Sequence, residues 1–165
     1  MKSIITGQNS KLTKPQATQN QTQNNLCNCV GFECPVNGEC QKSELIYSCK
    51  VESQAGSREY IGATKNTFKI RWNAHNSDAR YISNRHNTSL ANYIWTLKET
   101  NQVFTKEWKI ELSAKSYCPE MKYCNTCSTE KYWIMKHHKL RKLTNRRTEI
   151  LAKCRHRAKF LLSSC

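Results

Sequence analysis

Four cysteines within fourteen residues, Cys27, Cys29, Cys34 and Cys40, constrain this chain more than any other feature. Pro35 and the turn pair Asn37-Gly38 lie between them, which suits neither a helix nor a strand but does suit a loop stapled by a metal. Cys124 and Cys127 form a second close pair, and the chain has ten cysteines in all. Met1 to Lys14 lack the apolar core of a secretory signal, with only Ile4-Ile5 interrupting a polar stretch, so extracellular targeting is unsupported. In a reducing compartment, clustered cysteines more often mean metal than disulfides, and thiolates held by tight turns suit tetrahedral zinc. Cys27, Cys29, Cys34 and Cys40 are therefore one expected zinc site. Cys124, Cys127, Cys154 and His156 are a second, with three sulfurs and one nitrogen; the alternative for Cys154 is simple burial. Cys49, Cys118 and Cys165 are expected bystanders.

A length of 165 residues allows one ordinary domain with a small appendage. Residues 7–25 are rich in Gln, Asn, Thr and Ser and hold almost nothing apolar, so residues 1–25 are expected to form a disordered leader. Residues 26–42 are the cysteine loop, and residues 43–165 the folded part, ending in a basic tail. Leu45 to Val51 and Arg58 to Ala63 read as two strands, with a hairpin turn between Ser53 and Ser57. A helix should follow from Thr67 to about Arg80, capped by Asn66 or Thr67. Thr88 should cap a second helix with the apolar stripe Leu90, Ile94 and Leu97. Glu107 to Leu112 alternates as a third strand, with Trp108, Ile110 and Leu112 expected on one side. A third helix should start at Ser128 or Thr129 and a fourth run from about Arg146 to Lys153. The expected class is α+β: a small, mostly antiparallel three-stranded sheet with three to four helices. No run of even 12 apolar residues occurs, so no membrane span is expected.

Charge points to a polyanion. There are 27 Lys and Arg against 12 Asp and Glu, a net +15, and the last 35 residues carry eleven of the cations against one acid, Glu149. Concentrated positive charge interleaved with Trp, Tyr and His suits a phosphate backbone; a solvated basic face is the alternative. Lys69, Arg141, Lys142, Arg146, Arg147, Arg155 and Arg157 are the candidate phosphate contacts.

Three further groups could carry chemistry. Arg71 and His75 are four apart on an expected helix and so share a face, where a guanidinium beside an imidazole suits a phosphodiester or merely a basic surface. Glu130 is the only acid between Met121 and Thr148, placed to hold Mg²⁺ or to cap a helix start. Tyr47 and Tyr60 are expected to face each other across the hairpin, an arrangement more often used for packing than for catalysis.

These residues resemble a known family. Leu45-Ile46-Tyr47, a 12-residue gap, and Tyr60-Ile61-Gly62 look like the two strand motifs of GIY-YIG nucleases, with Leu45 in the place of the first glycine. Arg71, Glu130 and Asn145 follow in the family's order. The resemblance is closer to the endonuclease domain of Penelope-like retroelements, carried by Cys34-Pro35-Val36-Asn37-Gly38-Glu39-Cys40, by the run Tyr60 to Arg71, by Ser89 to Lys98, by Cys124-x2-Cys127-x2-Glu130-Lys131 and by Lys153-Cys154-Arg155-His156-Arg157. It implies a metal-dependent DNA endonuclease, usually fused behind a reverse transcriptase, that nicks or cuts target DNA for insertion. For this chain a reverse transcriptase supplied separately is the expected partner, and nuclear residence is expected from that function and the Lys/Arg-rich tail. In that family's terms Tyr47 and Tyr60 would line the scissile phosphate, one of them helping to activate water. Arg71 would stabilise the phosphorane charge, and His75 would shuttle a proton or bind phosphate. Glu130 would hold a single Mg²⁺ or Mn²⁺, and Asn145 would brace the site.

Overall fold

The first hairpin organises everything that follows. In the computed structural model, which describes residues 27–30, 32–115, 124–138 and 142–154, β1 (Leu45–Ser53) pairs antiparallel with β2 (Gly56–Thr64). Ser53 opposes Gly56, so the turn is the two-residue step Gln54-Ala55, and Gly56 takes the φ of +113° that leaving it requires. Tyr47 is then opposite Gly62 rather than Tyr60, and Tyr60 opposes Cys49. The two tyrosines are diagonal neighbours on one face, with ring centroids 6.4 Å apart.

β3 (Phe104–Ser113) completes the sheet on the other side of β1, giving the order β2-β1-β3, antiparallel throughout. Its alternation is broken. Ile46 pairs with Leu112 but Tyr47 pairs with Ile110, leaving Glu111 as an extra residue. Trp108 and Ile110 therefore face one core and Leu112 packs against the other, instead of all three sharing a side.

Alternate residues of β1 feed those two cores. Leu45, Tyr47, Cys49 and Val51 join Phe68 and Ala79 of α1 (Phe68–Arg80) and Leu90, Ile94 and Leu97 of α2 (Ser89–Glu99). The expected α2 stripe is thus the buried one, and Thr88 caps the helix by accepting from the Ala91 amide at 3.0 Å. Ile46, Ile61 and Ala63 face the other way, onto Ile134 of α3 (Asn125–His138). That helix starts three residues before the expected Ser128, because Cys124 acts as its cap: the Cys127 amide donates to Cys124 Sγ at 3.4 Å. The short α4 (Arg147–Leu151) follows. Among the described residues no helix is long and apolar enough to cross a membrane.

The cysteine loop packs on the first core through Val36 and the fully buried Cys40. Asn37 and Gly38 both adopt positive φ, 49° and 91°, as their turn pairing anticipates. The loop also supplies what α1 lacks at its start. Thr67 occupies the cap position without a side-chain bond; the Phe68 amide instead donates to the Lys42 carbonyl and the Lys69 amide to that of Cys40, both at 2.8 Å. The leader at 1–25 and Cys118, Arg141, Arg155, His156, Arg157 and Cys165 lie outside the described residues.

Candidate active site

Tyr47 is fully buried, and its hydroxyl meets two groups from α1. Arg71 Nε donates to it at 2.8 Å, and His75 Nε2 lies at 2.8 Å. The i,i+4 spacing on the helix thus converges on one oxygen. An arginine can only donate, so the Tyr47 oxygen accepts from Arg71, and the direction of its bond with His75 is set by the imidazole tautomer. Burial, with Arg71 and Lys106 adding their charge, holds the His75 pKa well below the ordinary histidine value and keeps the ring neutral. Its Nδ1 is buried without a hydrogen-bond partner among the described residues. Phe68 and Trp108 close the box, edge-on to Tyr47 at 5.5 Å and tilted against it at 6.0 Å.

Burial would weaken the Arg71 guanidinium, but the oxygens of Tyr47 and Tyr60 outweigh it, and its pKa lies above the ordinary arginine value. Tyr60 is also buried. Burial first, then Tyr47, Glu149 and Glu130, holds its phenol well above the usual tyrosine pKa, with Arg71 the opposing influence. Tyr60 is therefore protonated at neutral pH.

Tyr60 and Arg71 open onto a cleft of about 180 Å³ that also receives Glu130, Lys131, Glu149 and Lys153. Tyr47 and His75 lie behind it and reach it through Arg71. From β2, Tyr60 lines the cleft, and along the outer edge of that strand every other residue is taken. The Glu59 amide donates to the Lys142 carbonyl at 3.0 Å, and Glu59's carbonyl accepts from the Thr144 amide at 2.7 Å. Asn145 bonds both backbone groups of Ile61 at 2.8 Å, in the manner of a paired strand. Glu130 accepts from the Ala63 amide at 2.9 Å, closing this part of the edge. A half-buried carboxylate in an open cleft is suitable chemistry for a hard divalent cation that completes its shell with water and phosphate oxygens.

Two groups of sulfurs lie close enough to hold a metal. Those of Cys27, Cys29, Cys34 and Cys40 lie within 4.8 Å of one another, with Cys40 Sγ 3.6 Å from Cys27 and 3.7 Å from Cys29. Against the effect of its own burial, backbone amides of Val36 and Gly38 bring the Cys34 thiol down to about 7, whereas burial and the neighbouring thiols push Cys29 up to about 12 and raise Cys40. Cys124, Cys127 and Cys154 form the second group, again within 4.8 Å, and Cys127 also borders the cleft. Cys49 belongs to neither; it is buried in the first core, its thiol raised to about 12 by that burial.

The expected phosphate contacts separate. Lys142, Arg146 and Arg147 are exposed. Lys69 is committed to the cysteine loop, donating to the Asn28 side chain at 2.8 Å and its carbonyl at 3.2 Å. Larger grooves exist, including one of about 460 Å³ on the sheet between Lys50, Arg58 and Glu107, but none of the expected catalytic residues lines it. Sequence reasoning passed over Glu149, which enters the cleft, and over Lys131 and Lys153 as cleft cations. Glu149 carried one signal: it stands four residues after Asn145, alone among eleven cations. Compared with protein-family models, curated proteins and solved structures, the chain matches none.

Proposed function

We propose that the chain is a metal-dependent DNA endonuclease of the GIY-YIG kind that hydrolyses a phosphodiester in the cleft between β2, α1 and α3. The observation that carries this reading is convergence: Tyr47, Arg71 and His75 share one hydrogen-bonded chain, and Arg71 opens with Tyr60 and Glu130 onto one concave site. Tyrosines, an arginine and a carboxylate spread over 84 residues do not meet in this way by packing alone.

In this mechanism Arg71 binds the scissile phosphate and stabilises the charge that grows on it, since a preorganised guanidinium acts most strongly where charge develops. Tyr60, protonated, donates a hydrogen bond within the cleft. Tyr47 and neutral His75 hold Arg71's orientation and offer a buried proton path between the Tyr47 hydroxyl and Nε2. Glu130 would hold one Mg²⁺ or Mn²⁺, which when bound polarises the phosphate and stabilises the leaving oxyanion. Zinc at the two sulfur groups would be structural. The exposed Arg146 and Arg147 would follow the DNA backbone, and a reverse transcriptase as partner and a nuclear setting go with the same reading.

Supercoiled plasmid incubated with Mg²⁺ or Mn²⁺ tests it, beside Glu130→Ala and Arg71→Ala. Nicking by the unaltered protein that needs the ion and both side chains is the expected result. Plasmid that binds in a salt-sensitive way but is never cut, across ions and ionic strengths, would leave a catalytically inactive nucleic-acid-binding module.

A further inference from the structure

Glu149 has no part in the chemistry above, yet both its oxygens are engaged. Oε1 accepts from the Ser89 hydroxyl at 2.5 Å and Oε2 from Asn145 Nδ2 at 2.6 Å. Ser89 is the first residue of α2 and is buried, so the carboxylate sits at a helix N-terminus, where negative charge is favoured. Asn145 spends its remaining groups on Ile61, one residue along β2 from Tyr60. Both Asn145 N–H donors are thus used, one on the Ile61 carbonyl and the other on Glu149.

We infer that Glu149 is a positioning residue of this centre: by bonding Asn145 and Ser89 together it holds Asn145 on the edge of β2 and locks α4 to the start of α2, fixing the wall that carries Tyr60. The inference rests on the nuclease reading for its catalytic consequence but not for its structural one. Glu149→Leu keeps much of the side chain's bulk but removes both acceptors, leaving the Ser89 hydroxyl and one Asn145 N–H unpaired. Glu149→Gln can still accept from Asn145 through its oxygen and donate to the Ser89 oxygen, so it is the conservative variant that should restore the tie. Ser89→Ala removes one bond and spares the other.

The test measures amide exchange at Ile61, whose N–H donates to Asn145, together with plasmid nicking. Glu149→Leu should speed Ile61 exchange at least tenfold while β1 amides keep their protection, and Glu149→Gln should stay within about threefold of the unaltered protein. Glu149→Leu should lower kcat at least tenfold and leave KM for DNA within about twofold. Ser89→Ala should fall between, and it decides the matter should Glu149→Leu not fold. If the unaltered protein nicks and Glu149→Leu matches it in both kcat and Ile61 exchange, the inference is overturned and the nuclease reading stands. If the unaltered protein never nicks, the nuclease reading falls, and Ile61 exchange alone decides: accelerated, the tie holds; unchanged, it is refuted.

Discussion

Tyr47 lies directly across Gly62, so close that a Cβ on Gly62 would stand 2.5 Å from the tyrosine oxygen and 2.6 Å from its ring carbon. The glycine is therefore a matter of space beside the site, and backbone freedom does not enter. Gly62→Ala should push the Tyr47 ring out of line with Arg71 and His75. Because Phe68 and Trp108 leave that ring nowhere to retreat, the variant should lose about 1–3 kcal/mol of stability, the usual range for overpacking. Nicking should drop with it. Chemical denaturation and nicking assays showing a variant equal to the unaltered protein would mean that the Tyr47 hydroxyl is not where catalysis needs it.

Arg71→Lys keeps the charge and removes the geometry. A lysine ammonium cannot donate from the Nε position to Tyr47 while presenting further donors to the cleft, as the planar guanidinium does. Cleavage should fall by roughly 10²–10³, the scale for losing one preorganised donor, with plasmid binding at low salt nearly unchanged. Gel shifts and initial nicking rates separate the two quantities. A lysine variant with full activity would reduce Arg71 to a point charge.

His75 gives the fold a pH dependence with a definite sign. Burial, then Arg71 and Lys106, lowers its pKa in the folded state, so below about pH 6.5 the unfolded chain binds a proton that the folded chain refuses. Stability should therefore fall as the pH drops from about 6.5, by up to about 1.4 kcal/mol per pH unit from this group. Urea denaturation between pH 5 and 7 should show His75→Gln losing less over that interval than the unaltered protein. Parallel profiles would place the acid sensitivity elsewhere.

How much of this was legible in the sequence depends on what kind of order each part obeys. The hairpin, the α2 stripe and the Thr88 cap follow from local periodicity and capping chemistry, and they stand where those signals point. Leu112 does not, because alternation assumes an unbroken ladder and the extra residue Glu111 turns the strand over. Thr67 does not cap α1, since the Lys42 and Cys40 carbonyls of the cysteine loop, 26 and 29 residues back from the amides they meet, already accept its first amides. Arg71 and His75 were placed on one face by helical spacing, but their shared target, the Tyr47 hydroxyl, is a tertiary fact. Glu149 was hidden for the same reason: composition showed it only as a lone acid in a basic run, and its partners come from α2 and from the segment before α4.

The cysteine loop should control Arg71 through the start of α1. Two amides of that helix's first turn end on loop carbonyls, Lys69 clips Asn28, and Phe32 stacks on Trp72 at 5.7 Å. The loop has little core of its own beyond Val36 and Cys40, so the metal its four sulfurs can hold should be what keeps it ordered. Cys34→Ser should cost one equivalent of bound metal, and the Phe68 and Lys69 amides should exchange faster, with nicking weakened in step. Cys154→Ser touches the other sulfur group, at the start of α3, and should leave those two amides protected. Elemental analysis with amide exchange on both variants makes the comparison. If Phe68 and Lys69 stay protected once the first metal is gone, α1 carries its own start, and the loop serves some purpose other than placing Arg71.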